Sequence, residues 1–452
     1  MRASRNSSRL LHIETFGCQM NERDSEIMAQ LMAAEGYLTT AAPEEADLIV
    51  VNTCSIRGKA EQKAMSLLGR YRKLKKKNPR LVVAVAGCVA QQEGVALLER
   101  MGHLDLVVGP QEIYQLPELV AAVRNGAGQR CATGQSPAFV IPPFLPELGN
   151  GPAHKRFVTI MKGCNNFCTY CVVPYTRGRE ISREPGDILA EVDHLARLGV
   201  REVTLLGQNV NSYGQDRPGL PSFAELLHEV AAIPGIERLR FTTSHPKDLS
   251  EELMQCFASI DALCPHFHLP VQSGSDAVLK RMNRKYTRQE YLDKVARLRA
   301  IRPDIAITTD IIVGFPGESE ADFAATMELL EIVRYHGAFS FKYSDRPHAA
   351  SAQFGDKVPE AIKGERLSRL QARQEEITYA RKQELVGTVT EVMIEGGSKS
   401  GDQWSGRTAA NAIVNFTAVE TFTPGQLVMV QLDEACQNSF RGTIIQHEEQ
   451  PA

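Results

Sequence analysis

The chain has no stretch near the roughly 18 consecutive apolar residues that a membrane helix needs, so no membrane partner is expected. It has no surplus of one charge: 51 Lys and Arg stand against 54 Asp and Glu, a net charge of −3. That balance excludes a globally basic nucleic-acid binder and leaves only local basic patches. Tandem repeats and low-complexity tracts are missing too. With 43% hydrophobic and 23% charged residues among 452, neither a wholly disordered nor a fibrous chain fits; the length suggests about three domains. The start, MRASRNSSRLLHIETFGC, has the Arg- and Ser-rich composition of a transit peptide. Against that, the apolar run from Leu10 reads as a first strand, and no secretory apolar core follows. The expected location is the cytoplasm. Ten cysteines would mean disulfides in a short secreted chain; here they read as reduced thiols, some of them metal ligands.

What is present is alternation. The short β-branched runs LLHIET, LIVVNT, LVVAVAG and LDLVVG are separated by helical stretches at Asp24–Glu35, Arg57–Lys76 and Ala90–Arg100, which predicts a parallel sheet faced by helices. The Pro- and Gly-rich segment Gly126–Gly151 reads as a linker. Six further strands (RFVTIMKG, EVTLLGQ, RLRFTTS, HFHLPV, IAITTDIIVG, AFSFKYS) alternate with helices at Asp187–Leu198, Ser222–Ala232, Glu251–Ile260, Gln289–Ile301 and Glu320–Tyr335, a repeated βα unit compatible with a partial or full barrel. A charged helix spans about Glu360–Glu384, and from Val386 short strands with Gly-rich turns predict a small all-β barrel. The fold class is α/β with domains at 9–125, 153–384 and 385–447 and a linker at 126–152.

Two sets of cysteines carry chemistry. GCNNFCTYC places Cys164, Cys168 and Cys171 in C-x3-C-x2-C spacing just after a strand. Three thiolates on one loop can hold a 4Fe-4S cluster with one iron left open, whereas structural zinc usually wants four ligands. The missing fourth ligand implies that a substrate or cofactor binds the open iron. Cys18, Cys54 and Cys88 each follow a strand of the first region, 36 and 34 residues apart. Sites form at strand carboxyl ends, so these three suit a second cluster, although cysteine is also a common buried apolar residue. Cys131, Cys256, Cys264 and Cys436 read as structural or free thiols.

The central motif, with Tyr170 as its aromatic, resembles the signature of the radical S-adenosylmethionine superfamily, and TDIIVGFPGE resembles that family's late glycine-containing turn. Together with TFGCQMNERDSE, NTCSIR, AGCVAQ, GCNNFCTYCVVPYTRGRE, GQNVNSYG, TTSHPKD, PVQSGSD and MNRKYTR, the chain resembles the methylthiotransferases from about Leu10 to Gln446, and its tail resembles their RNA-binding TRAM barrel. The resemblance implies two 4Fe-4S clusters, one on each cysteine set, and S-adenosyl-L-methionine as both methyl and radical source. It implies methylthiolation at C2 of an isopentenylated adenosine beside the tRNA anticodon. A flavodoxin-type protein is the expected electron donor, and the chain is expected to be a monomer. Rival readings are a sister enzyme acting on threonylcarbamoyl-adenosine or on a ribosomal-protein aspartate, and a non-catalytic iron–sulfur RNA-binding protein. Two departures are Gly58, where the family has an acidic residue, and DRPHAAS, where it has a Pro-Gly-Thr turn.

Candidate cofactor contacts are Tyr170, Gln208, Ser244, Gln272 and Gly314. No catalytic group is assigned beyond the cluster ligands. Arg177 and Arg179, just past the cysteine loop, are the candidate RNA contacts, with Arg183 and the basic segment Lys280–Arg288 behind them; the run Arg70–Lys77 reads as a solvated helix end. His266 and His268 share one strand face and read as a hydrogen-bonded pair inside the barrel rather than metal ligands. The tail from Val386 has three basic residues (Lys399, Arg407, Arg441) and eight acidic ones, among them Glu448 and Glu449, so its RNA binding rests on resemblance rather than on charge.

Overall fold

Two strands in the first third of the chain carry no polar face, and that is why they sit in the middle. LIVVNT and VVAVAG are buried at every position, as strands covered on both sides must be. The computed structural model describes residues 9–55, 58–136, 138–147, 153–398, 401, 403–418 and 420–445. Arg57, Lys399, Glu448 and Glu449 lie outside them. The described residues divide into two units. The first holds the chain up to residue 150 together with 161–165 and 171–183; the second holds 151–160, 166–170 and everything from Glu184 on.

The first unit runs β1 (Arg9–Thr15), α1 (Gln19–Ala34), β2 (Tyr37–Thr39), β3 (Leu48–Thr53), α2 (Gly58–Lys77), β4 (Val82–Gly87), α3 (Cys88–Glu93), α4 (Val95–Arg100), β5 (Leu106–Val108), α5 (Leu116–Arg124) and β6 (Arg130–Ala132). All strand pairs are parallel, in the order β2-β1-β3-β4-β5-β6. Apolar layers cover both faces. Leu11, Val50 and Ala84 meet Ile27 and Met32 of α1 on one side. Ile49, Val51 and Val85 meet Leu68 and Tyr71 of α2 on the other. The sheet is the expected one, with two additions. β2 is an edge strand, and β6 comes from the segment read as a linker. The predicted helix at 90–100 is two helices, because Gly94 breaks it at φ 53°.

The second unit begins with β7 (Lys155–Thr159); the ribbon β8 (Met161–Lys162) and β9 (Ile181–Ser182), with the single turn α6 (Val173–Thr176) between them, groups with the first unit. Then follow α7 (Pro185–Arg197), β10 (Glu202–Leu206), α8 (Phe223–Ala231), β11 (Arg238–Thr242), α9 (Glu251–Ser259), β12 (His266–His268), α10 (Asp276–Arg281), α11 (Arg288–Ile301), β13 (Ala306–Val313), α12 (Glu320–Val333), β14 (Gly337–Lys342) and α13 (Glu360–Gln383). β7-β10-β11 and β12-β13-β14 are parallel sheets joined by a bridge from Leu239 to Leu263. Six strands in chain order make the βα barrel wall that the alternation predicts. Ser222, Thr287 and Ser319 close reciprocal caps with the acidic residue three positions on, which fixes where α8, α11 and α12 begin.

The tail closes a five-stranded barrel from β15 (Val389–Gly397), β16 (Trp404–Thr408), β17 (Ile413–Thr417), β18 (Leu427–Ala435) and β19 (Phe440–Ile444), filled by Val392, Ile394, Val414, Phe416, Val430 and Phe440. β16 is the strand the sequence did not reveal. This barrel is fastened to the start of β11. Arg238 donates to Arg407 O at 2.7 Å and Glu391 Oε1 at 3.0 Å, and Arg240 donates to Ala409 O at 2.8 Å and Thr408 O at 3.0 Å.

Candidate functional sites on the two cysteine sets

In the first unit, Cys18 follows β1, Cys54 follows β3 and Cys88 follows β4. These three strands are neighbours, and the sheet order reverses at β1. The carboxyl ends at such a reversal are where open α/β sheets bind ligands. Gly17 and Gly87 precede two of the cysteines because nothing larger fits. A Cβ on Gly17 would lie 2.3 Å from Cys54 Cβ, and one on Gly87 2.3 Å from Thr53 O, with φ at +126° and +92°. Asn21 and Asn52, both fully buried, lace the loops. Asn21 Nδ2 donates to Thr53 O at 2.8 Å and Phe16 O at 3.0 Å, while Asn52 Nδ2 donates to Asn21 O at 2.8 Å. Thr53 Oγ1 donates to Ala86 O at 2.6 Å, which links the Cys54 end to the Cys88 strand.

The charge beside these thiols comes from Arg177, which is 3% exposed. It donates to Asp24 Oδ2 and to Asn21 Oδ1, each at 2.9 Å. Lys162 approaches the other Asp24 oxygen at 3.7 Å. A hydrogen bond from Cys54, working against burial and aided by Arg177, lowers the Cys18 thiol to about 6. Burial works to lower the Arg177 pKa, but Asp24, Cys88 and Cys18 outweigh it and raise it. The expectation that Arg177 touches RNA phosphate is therefore corrected: a guanidinium enclosed and paired in this way has no surface to offer. Arg179 is exposed, as a phosphate contact must be.

In the second unit, Cys168 Sγ accepts from Arg284 Nη1 at 3.4 Å and lies 3.9 Å from His245 Nε2. Arg284 also donates to Tyr170 Oη at 3.3 Å, Pro270 O at 2.6 Å and Tyr286 Oη at 3.0 Å. Its place in the basic segment had suggested RNA, and burial corrects that as well. Burial, then Arg284 and Lys247, pushes the His245 pKa far down, so its ring is uncharged. The loop is held by its main chain: Asn283 Nδ2 donates to Phe167 O at 2.9 Å and Thr169 N donates to Met282 O at 3.0 Å. Tyr170 packs against the buried cluster of Val278, Met282, Phe315 and Tyr343, as does Ile312.

The other candidates stand past strand ends. Gln208 follows β10 and Ser244 follows β11. Gln272 adopts φ +73° and bridges to β13 through Asp310 O and Ile312 N, both at 2.9 Å. Gly314 follows β13; the space where its Cβ would sit is filled by Lys363 Cγ, 2.3 Å away, and its N–H is bound by buried Glu318 at 2.9 Å. Among the described residues, Ser244 Oγ, Asn209 Oδ1 and both polar atoms of the Asn211 side chain are buried without a hydrogen-bond partner. Such atoms beyond the carboxyl ends of β10 and β11 suit a polar ligand there. His266 and His268 share Thr308 Oγ1, at 3.5 and 3.0 Å, the hydrogen-bonded pair expected. None of the ten cysteines is in a disulfide. Among the described residues no three His, Cys, Asp or Glu side chains are gathered closely enough to hold a metal as they stand. The fit of a cluster to the first-unit set therefore rests on donor chemistry: three thiols, one acidified, beside a fixed cation.

Sequence reasoning missed Asn21, Asp24, Asn52, Lys162 and His245, and gave Arg284 the wrong role. Asn21 and Asp24 lay inside a quoted motif, but their role needs partners more than 30 residues away.

Comparison with known proteins covers the whole architecture. Residues 10–109 match the family described as Uncharacterized protein family UPF0004, 158–330 match the Radical SAM superfamily and 383–445 match the TRAM domain. The chain is 53% identical over 449 residues to the tRNA-2-methylthio-N(6)-dimethylallyladenosine synthase of Desulfotalea psychrophila, covering 97% of this chain and 99% of that one. It is 54% identical over 436 residues to the synthase of the same name from Geobacter metallireducens, covering 96% and 98%. Among solved structures, the radical S-adenosylmethionine methyltransferase TsrM from Kitasatospora setae superposes with a TM-score of 0.56 at 16% identity, covering 76% of this chain and 75% of that one. That last likeness is one of fold.

Proposed function

The chain belongs to the tRNA-2-methylthio-N(6)-dimethylallyladenosine synthase family, and we propose that it adds a methylthio group to C2 of N6-isopentenyladenosine beside the tRNA anticodon. The observation that carries this reading is identity above 50% across nearly the full length of both chains. Membership of the radical SAM superfamily brings S-adenosylmethionine and a 4Fe-4S cluster. When bound, that pair supplies hydrogen-atom abstraction, which the C2–H bond needs because it has no useful acidity.

This chain's residues fit distinct parts of the task. Cys164, Cys168 and Cys171 would hold the cluster that meets S-adenosylmethionine, and Arg284 offsets thiolate charge at Cys168. Ser244, Gln208, Gln272, Tyr170 and the Gly314 peptide would line the cofactor. Cys18, Cys54 and Cys88 would hold a second 4Fe-4S cluster that handles sulfur, with Arg177 compensating charge as a thiolate-bound cluster requires. Arg179 would meet RNA phosphate. A flavodoxin-type electron donor, a monomeric state and a cytoplasmic location complete the reading; no described helix is long and apolar enough to cross a membrane.

The test is anaerobic reconstitution, then incubation with reductant, S-adenosylmethionine and a prenylated anticodon stem-loop, with nucleosides read by mass spectrometry. The methylthiolated nucleoside is expected. Cofactor cleavage without it, or methylthiolation only of a threonylcarbamoyl stem-loop, overturns the assignment.

A further inference from the structure

Within the second unit the sheet β12-β13-β14 leaves two phenyl rings exposed on one face. β12, β13 and β14 pair in parallel, with His268 beside Thr308, Asp310 beside Phe339 and Ile312 beside Phe341. Register partners in a parallel pair point to the same side. Alternate residues Phe267, Ile307 and Ile311 are fully buried on the other side. α13 also packs on that other side, since Gln371 Nε2 donates to Ser340 Oγ at 3.3 Å. Phe339 and Phe341 therefore project away from α13, and they are 56% and 41% exposed. The His268 ring meets Phe339 edge-on, centroids 6.1 Å apart, and its Nε2 lies 3.5 Å from Asp310 Oδ2. At the upper end Ile312 packs in the same cluster as Tyr170, two residues from Cys168.

Resting on the function proposed above, we propose that this face selects the substrate nucleoside. Phe339 and Phe341 receive the branched alkenyl arm on N6, and the His268–Asp310 pair faces the purine. Two phenyl rings open to water on one strand face gain by covering with hydrocarbon, and an alkenyl arm supplies it where a bare adenosine cannot. The charge decides between related nucleosides. Asp310 places a carboxylate on this face, which repels the carboxylate of a threonylcarbamoyl group and tolerates an uncharged alkenyl group. Continuity with Tyr170 sets the bound base next to the cysteine loop. Phe339 and Phe341 are thus specificity residues.

The test uses the full-length reconstituted protein and three anticodon stem-loops that differ only at the target adenosine: unmodified, alkenylated and threonylcarbamoylated. Dissociation constants are measured at one salt concentration, because phosphate contacts are salt-dependent. Wild-type protein should prefer the alkenylated RNA by about tenfold or more, the scale of an apolar pocket. The F339A/F341A double variant should lose most of that ratio. F339L/F341L, which keeps apolar volume, should retain most of it, and D310N should narrow the gap between alkenylated and threonylcarbamoylated RNA. A double alanine variant with the wild-type ratio overturns the assignment of this face, while methylthiolation by the same preparation leaves the activity standing. Wild-type protein with no preference and no methylthiolated product overturns both.

Discussion

Both thiol sites are attended by a fully buried arginine, and the two arginines are used differently. Arg177, beside Cys18 and Cys88, spends its charge on Asp24, with Lys162 on the far oxygen. Arg284, beside Cys168, donates to two carbonyl- or phenol-type oxygens and a sulfur around one fork, together with Tyr286 Oη, and none of these is a carboxylate. The first site sets two cations against one carboxylate, which leaves positive charge for the thiols beside it. The second sets its buried cation against the Cys168 sulfur and neutral oxygens alone. The difference is one of counter-charge: the first site brings its own carboxylate and the second brings none.

The sharpest way to break that comparison is to empty each site in turn. Replacing Cys164, Cys168 and Cys171 together by Ala should abolish both reductive cleavage of S-adenosylmethionine and methylthiolation. Replacing Cys18, Cys54 and Cys88 should leave 5′-deoxyadenosine formation and abolish the methylthio product. Each triple variant should hold about half of the roughly eight irons of a two-cluster protein. Methylthiolation by the first-unit variant would remove the second cluster from the account.

Next in size is Asp24→Asn. It leaves Arg177 and Lys162 as buried cations without their anion, and breaking such a pair costs about 3–5 kcal/mol. Urea unfolding followed by circular dichroism measures it; a loss below about 1 kcal/mol would mean that the two cations do not depend on Asp24. Gly87→Ala should cost about 2–3 kcal/mol, since it adds strained φ to a clash with the Thr53 carbonyl. Gly36→Ala, at φ +80° with nothing within 4 Å, should cost only about 1 kcal/mol. Equal melting temperatures for the two variants would show that the space beside Cys54 and Cys88 is not tight. The smallest effect belongs to the second site. Tyr286→Phe removes the acceptor for Arg284 Nε and should cost about 1–2 kcal/mol of stability, read by the same unfolding assay.

What the sequence made legible was whatever repeats locally. Cys18, Cys54 and Cys88 could be placed at strand ends because each strand is a short apolar run. β6 escaped because its three residues, Arg130–Ala132, sit among prolines and glycines and are strand only by pairing with β5. β16 escaped because WSGRT has little apolar alternation. Arg177 was misread because a motif tells which residue is present but not which way it faces, and its partner Asp24 is 153 positions away. Arg284 is 116 positions from Cys168 and was hidden in a run of cations whose other members are at the surface or in ion pairs such as Arg281 with Asp356.

The fastening of the tail barrel to β11 bears on how the protein is made. Arg238 and Arg240 find the carbonyls of Arg407, Thr408 and Ala409 only 168 or 169 positions later. At about 5–20 residues per second of synthesis, that is a delay of roughly ten to thirty seconds. Throughout it the nascent central domain carries two guanidinium groups at a strand start that await main-chain acceptors not yet polymerised. The hydrogen bonding of the β11 start is therefore complete only once the segment that carries β16 has been made.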